Sequence, residues 1–253
     1  MKKFVCILCA PLFLFCGCTN DSLSNPEIKS GPCLPEVEDA YVYPQDVLKG
    51  ESHEEVLAAC QLPDDVLERI STAGLIRSLL DFPLLASGYF ASSNSSPIGT
   101  FNSIFALHNS VPELEQRRDA AGVLLQYYQS VGFGCFETFR TSSPEENIAK
   151  KWDATAQIIA LHVLFTREKI LSRYDSHTKR QLVALLLQNL RQLEALDMRL
   201  GILEVMAWIM YDDRYAPAVA HFGPSLNKDW LTLTSEGIPF LLSFAESYAN
   251  GKI

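Results

Sequence analysis

The sequence predicts an all-α protein, an irregular helical bundle or α-α superhelix of antiparallel helix pairs, with one domain over residues 46–253. Three observations carry that prediction. Apolar residues recur at three- and four-residue spacing through most of the chain after position 52. Helix starts are marked by capping residues and prolines, and short connections separate the periodic segments. Strict alternation is confined to Trp230-Leu231-Thr232-Leu233, too short to weigh as a sheet.

Each element has its own signal. Ser52 followed by Glu55 is a capping box ahead of Val56, Leu57 and Cys60. Pro63 with Asp64 and Asp65 opens a second helix carrying Val66, Leu67 and Ile70, because proline suits a first turn and acids suit the positive end of the helix dipole. Ser71 or Thr72 caps a third, with Leu75, Ile76, Leu79 and Leu80 on one face and Pro83 as the stop. Residues 112–131 read as one longer helix, with Leu114, Ala121, Leu125 and Tyr128 in a stripe closed by Gly132 and Gly134. Ser143-Pro144-Glu145-Glu146 starts another, followed by Ile148, Trp152, Thr155, Ile159 and Val163. Residues 177–196 repeat the period with Leu182, Leu186, Leu190 and Leu193. Nearly every residue of 201–211 is apolar, which predicts a helix buried on most sides. The last helix, over 235–248, carries Ile238, Phe240, Leu241, Leu242 and Phe244.

The N-terminus carries a different signal. Lys2 and Lys3 form a basic n-region, and the twelve residues Phe4 to Phe15 form an apolar stretch. That is well short of the roughly 20 residues a membrane-spanning helix needs, so residues 1–17 read as an export signal. Leu14-Phe15-Cys16-Gly17-Cys18 resembles a bacterial lipobox, with Phe15 where Leu is usual and Cys16 where Ala or Ser is usual. The resemblance implies lipid on Cys18 and attachment to the membrane through that lipid alone. Thr19 stands where inner-membrane retention would use Asp, which points to the outer membrane. Residues 18–45, rich in Pro, Ser, Asn and Gly, read as a flexible tether of roughly 30 Å reach. Within it the aromatic run Ala40-Tyr41-Val42-Tyr43-Pro44 reads as an extended strip that docks on the domain.

Composition bounds function. The 253 residues carry 21 Lys plus Arg against 30 Asp plus Glu, a formal −9. Signal removal takes Lys2 and Lys3 and no acid, giving −11 for the mature chain. So acidic a chain lacks the electrostatic footprint of a nucleic-acid binder. Of the thiols remaining after Cys18, namely Cys33, Cys60 and Cys135, at most one pair can bridge. Cys60 on an apolar helical face and Cys135 in a Gly-Phe-Gly-Cys-Phe turn read as buried or half-buried free thiols.

Tyr41-Val42-Tyr43-Pro44, Cys60-Gln61-Leu62-Pro63-Asp64-Asp65-Val66-Leu67, Ile70-Ser71-Thr72-Ala73-Gly74-Leu75 and Arg117-Arg118-Asp119-Ala120-Ala121 together resemble a family of uncharacterised exported helical lipoproteins of Bacteroidetes. The resemblance covers roughly residues 40–130. It implies a helical lipoprotein of the cell envelope and brings no activity or site residues with it.

Chemical signatures are sparse. His108, His162, His177 and His221 are scattered, without metal-ligand spacing, so no metal or other cofactor is expected. Cys135 beside Glu137 has the makings of a nucleophile only if a histidine comes near. The pairs Glu145/Glu146 and Asp212/Asp213 invite comparison with hydrolase carboxylates, although helix starts and turns account for both. Residues 51–68 are acidic without one basic residue, whereas 166–199 hold Arg167, Lys169, Arg173, Lys179, Arg180, Arg191 and Arg199. The expected ligand surface therefore combines Trp152 and Trp230 with Arg173, Lys179 and Arg180, among aromatics that also include Tyr127, Tyr128, Tyr211 and Tyr215. The expected function is an outer-membrane-anchored lipoprotein that binds an envelope protein or glycan. The alternative is a small envelope enzyme, a glycan or peptidoglycan hydrolase.

Overall fold

The computed structural model describes residues 33–50, 52–87, 96–136, 144–195, 201–223 and 237–252, excepting the side chains of 144–147 and 194–195. Among the described residues there are twelve α-helices, one 3-10 turn at Val47–Lys49 and no strand. The helices are α1 (His53–Ala59), α2 (Asp64–Arg69), α3 (Thr72–Leu80), α4 (Pro97–Phe105), α5 (Ser110–Gln116), α6 (Ala120–Gln129), α7 (Pro144–Leu164), α8 (Glu168–Leu171), α9 (Ser176–Ala195), α10 (Ile202–Asp212), α11 (Ala216–Phe222) and α12 (Gly237–Ala249). The protein is an all-α helical bundle. None of these helices is long and apolar enough to cross a membrane.

The caps act where the sequence places them. Glu55 N donates to Ser52 Oγ at 3.2 Å and Ser52 N donates to Glu55 Oε2 at 3.3 Å, closing the box that starts α1. Ser71 Oγ accepts from Gly74 N at 2.9 Å and starts α3. The apolar face of α3, with Leu75, Ile76, Leu79 and Leu80 all buried, packs on α5, α6 and α7. Helix α10 is enclosed on most sides. Ile202, Leu203, Val205, Met206, Ala207, Ile209 and Met210 are buried, and it touches α7, α9, α11 and α12. Its start is fixed by Gly201 at φ 69°, where a Cβ would also come within 3.2 Å of the Pro97 ring. Glu204, in the first turn, accepts from Ser96 Oγ at 2.7 Å and ties the start of α10 to that of α4. Because α3, α7 and α10 each touch several partners, a single apolar cluster runs from Cys33 to Tyr248.

Two expectations about segments change. The helix expected over 112–131 is broken into α5 and α6 at Arg117, whose backbone is extended at φ −68°, ψ 127°. Its guanidinium donates to Ile70 O at 2.7 Å and Leu67 O at 3.0 Å, covering carbonyls that the end of α2 leaves open. Arg173 does the same for the break itself, donating to Arg117 O and Glu115 O at 2.5 Å each. These bonds replace the intrahelical ones that a continuous helix would have made.

The chain assigned to the tether is packed from Cys33 onward, and the Tyr41–Tyr43 strip lies within that strap. Arg77 Nη1 donates to Pro35 O at 3.0 Å, and Tyr41 N donates to Ser78 Oγ at 2.7 Å. The Asp39 carboxylate accepts from Ser71 N at 2.6 Å and Ser71 Oγ at 2.9 Å. This approach is close enough that a Cβ on Gly74 would stand 2.5 Å from Asp39 Oδ1. The strap is also covalently closed, by a Cys33–Cys135 disulfide with Cα atoms 5.3 Å apart. The reading of Cys135 as a free thiol is thereby corrected, because packing of the strap brings together residues 102 apart in sequence. Cys60 remains free and buried, as expected.

Candidate functional site

Cys18 and Trp230 lie outside the described residues. Trp152 is exposed on α7, one turn after exposed Ile148. Arg173 has its guanidinium committed to the α5–α6 break. Lys179 is buried, its Nζ 2.7 Å from Asp212 Oδ2 and 3.9 Å from Asp213 Oδ1, and Arg180 on the next position of α9 is half-buried. None of these four lines a cleft described below. Of the aromatics expected as platforms, Tyr127 and Tyr128 are buried, and Tyr215 packs against Tyr248 with ring centres 5.2 Å apart.

The histidines and paired acids resolve into structure. His108 Nε2 lies 3.1 Å from Cys60 O, which can only accept, so Nε2 carries the proton. Nδ1 then accepts from Ser110 Oγ at 2.5 Å and Ser110 N at 3.3 Å. Tyr43 completes the set, donating its hydroxyl proton to Ser78 O at 3.1 Å and receiving His108 Nε2 at 2.8 Å. Desolvation lowers the His108 pKa to about 4, against the pull of the Cys60 carbonyl. His162 lies 2.8 Å from the Tyr128 hydroxyl in the core. Asp213 accepts from Ser176 Oγ and from the Tyr248 hydroxyl, each at 2.6 Å, so the Asp212/Asp213 pair clamps Lys179 between helices. The side chains of Glu145 and Glu146 lie outside the described residues. Cys135 is consumed by its disulfide, which removes it as a nucleophile, and burial pushes the Cys60 thiol up. Among the described residues no group of three or more His, Cys, Asp or Glu side chains is placed to hold a metal.

A polar cleft of about 510 Å3 opens where α4, α5, α8 and α10 meet. Half-buried Trp208 of α10 supplies its aromatic surface. Around it runs an ion network: Glu115 Oε1 accepts from Arg167 Nε at 2.7 Å and from Nη2 at 2.5 Å, while Oε2 lies 3.3 Å from Lys169 Nζ. Arg167 Nη1 donates to Asn102 Oδ1 at 3.1 Å, which fixes the planar fork on both sides. Asp212, paired with Lys179, forms the far rim, and Glu168 stands in the first turn of α8. Cations Arg167 and Lys169 face anions Glu115, Glu168 and Asp212, so donors and acceptors alternate without a surplus of positive charge.

Arg167 and Lys169 belong to the basic segment marked in the sequence. Trp208, Glu115 and Asn102 escape a reading based on periodicity. Trp208 sits in an apolar run that reads as core, and Glu115 and Asn102 lie 52 and 65 positions from Arg167. The one available signal is Asp212, four residues after Trp208, a charge on the same helical face. Both oxygens of Glu115 are engaged with cations, and Asp212 is engaged with Lys179. Compared with protein-family models, with curated proteins and with solved structures, the chain finds no match in any of the three.

Proposed function

We propose that the protein is an exported lipoprotein, anchored in the outer membrane through Cys18, that binds a neutral saccharide of the cell envelope in the Trp208 cleft. The observation that carries the binding reading is the half-buried indole ringed by the interlocked Arg167, Glu115 and Asn102 side chains. Sugar rings present an apolar C–H face and a rim of hydroxyls that both donate and accept. An aromatic surface bordered by alternating donors and acceptors complements both features. The near balance of charge in the cleft favours an uncharged ligand over the acidic glycan that the basic segment alone suggests.

Three observations support the envelope setting: the signal and lipobox pattern of residues 1–18, the family resemblance of residues 40–130, and the disulfide that closes the strap. Structural disulfides persist chiefly in oxidising compartments outside the cytosol. A domain joined through its strap to a lipidated N-terminus would be held at the membrane, where its cleft can meet polymers of the envelope.

The full chain, purified in detergent, is to be titrated calorimetrically with a panel of neutral oligosaccharides. At least one saccharide should saturate the signal, and Trp208→Ala should weaken it by at least about tenfold. Failure of every saccharide, or undiminished binding by the variant, would refute the assignment. Cys18→Ala should release the protein from membranes, and a variant that still sediments with them would refute the anchor.

A further inference from the structure

Part of helix α7 stands outside the bundle. Residues 148–153 are all exposed, and six successive helical positions at about 100° each sweep more than a full turn, so this arm has no buried face. Burial begins with Ala154, Thr155 and Ala156. The arm reads Ile148-Ala149-Lys150-Lys151-Trp152-Asp153. Ile148 and Trp152, four positions apart, share one side of the helix and are 42% and 38% exposed.

The strap meets this arm. Exposed Leu48 lines one cleft together with Asp153, the neighbour of Trp152. Three hydrogen bonds join the start of the strap to the same helix. Arg77 Nη1 donates to Pro35 O at 3.0 Å and its Nε to Asp81 Oδ2 at 2.6 Å, while Asp81 Oδ1 accepts from Gln157 Nε2 at 3.0 Å. Pro35 is two residues from Cys33, and Gln157 is five after Trp152, so the strap entry and the arm lie on one side of the bundle. Exposed apolar surface gathers there: of the eight large apolar side chains exposed among the described residues, Val42, Leu48, Ile148 and Trp152 belong to the strap and the arm.

Cys33 stands fifteen positions after Cys18. Bond lengths therefore keep the strap within about 50 Å of a lipid on Cys18, and the bilayer is the one extended surface always in reach of the arm. Its composition suits that surface: indoles sit at headgroup level, and lysines lay their stems on apolar surface while the ammonium reaches outward. The mature chain carries −11, which anionic headgroups repel, whereas the arm holds two lysines against one acid. We propose that the exposed arm of α7 docks on the bilayer that holds Cys18, with Ile148 and Trp152 entering the interface and Lys150 and Lys151 pairing with lipid phosphates. This rests on the lipoprotein reading above. One indole, one isoleucine and two lysines orient a domain that lipid holds and do not replace that lipid, so Cys18→Ala still releases the protein.

The lipidated full chain is to be reconstituted into vesicles of phosphatidylcholine and phosphatidylglycerol, with and without dibrominated acyl chains, and floated on a density gradient before its tryptophan emission is read. Subtracting the emission of Trp152→Phe isolates Trp152 from Trp208 and Trp230. Bromolipid should quench the Trp152 component by at least about half, because interfacial side chains sit about 5–10 Å into the boundary of headgroups and acyl chains. Lys150→Glu/Lys151→Glu, at two exposed positions, should reduce that quenching at low salt and leave the melting temperature unchanged, since each lysine near an anionic surface strengthens association about fivefold. A chain that does not float refutes the anchor and the docking with it. A floated chain whose Trp152 component is not quenched keeps the anchor and overturns the docking alone. Trp152 emission that follows protein concentration instead of bromolipid assigns the surface to a second copy and likewise overturns it.

Discussion

Removing the Cys33–Cys135 bridge should lower the melting temperature by roughly 10 °C. The bridge joins residues 102 apart, and the loop-closure entropy it withholds from the unfolded chain corresponds to about 4.7 kcal/mol in the chain-entropy treatment. Native bridges of this kind are measured at about 2–5 kcal/mol. For a domain of roughly 200 residues each kcal/mol moves the midpoint by about 2–4 °C. The loss is bounded from the other side by how firmly the strap docks without its bridge. Cys33 and Leu34 are buried, Gly132 N donates to Cys33 O at 3.0 Å, and the Arg77, Tyr41 and Asp39 bonds remain. With those contacts intact the strap stays docked up to the global transition, and most of the entropic contribution is lost at once. The assay is a thermal melt of the full chain with and without reductant, alongside the double variant Cys33→Ala/Cys135→Ala. The double variant should melt low with no further response to reductant, whereas Cys60→Ala, which leaves the bridge, should keep the response. A reductant shift below about 2 °C, together with alkylation of Cys33 and Cys135 in the unreduced chain, would refute the pairing and remove one support of the envelope reading.

Alanine at a mid-helix glycine ordinarily stabilises by up to about 1 kcal/mol. Gly74→Ala should instead destabilise by about 1–3 kcal/mol in urea melts, because the new Cβ meets Asp39 Oδ1 and the Ile70 side chain inside contact distance; a stabilised variant would contradict the strap geometry. Burial raises the Glu204 pKa from 4.5 to about 7, opposed by its bonds to Ser96 and the Ile98 backbone, so its contribution is present below pH 4.5 and is lost as pH rises through 7. His108, lowered from 6.5 to about 4, runs the other way: its contribution is present above pH 6.5 and is lost as pH falls toward 4. Glu204→Gln should therefore gain on the wild type by about 1–3 kcal/mol between pH 5 and pH 8, read from melts at both, and a pH-independent difference between the two proteins would reject the assignment.

Helix faces and caps were legible in the sequence because both are local. Ser52, Glu55 and Ser71 act within three residues of their partners, and the apolar run of α10 states its own burial. The α5–α6 break was not legible, since Arg117-Arg118-Asp119 contains neither Gly nor Pro. That break is made by distant groups: the Leu67 and Ile70 carbonyls that Arg117 reaches, Arg173 reaching back, and Thr72 Oγ1 donating to the Asp119 carboxylate at 2.9 Å. Helix α4, which opens with Pro97 at its first position, was not read from the sequence. The strap was half legible: Tyr41 and Tyr43 announced a docked strip, while the prolines around them read as tether.

The Trp208 cleft shows why sites in such a bundle elude periodicity. Periodicity reports helix faces, and here the faces are spent on one core. Its charged groups come from helix ends: Arg167 is the N-cap of α8, Glu168 and Lys169 lie in its first turn, Glu115 is next to last in α5 and Asp212 is last in α10. Helix ends leave backbone groups unpaired and accept polar side chains that a packed face rejects. A polar site in an otherwise apolar bundle is therefore expected where several ends converge, and its residues then come from distant parts of the chain. The basic segment from Arg167 marked one wall of that convergence. Glu115, 52 positions earlier, turns the same cations from a free positive surface into a fixed, nearly neutral frame. That conversion is what shifts the proposed ligand from an acidic glycan to an uncharged one.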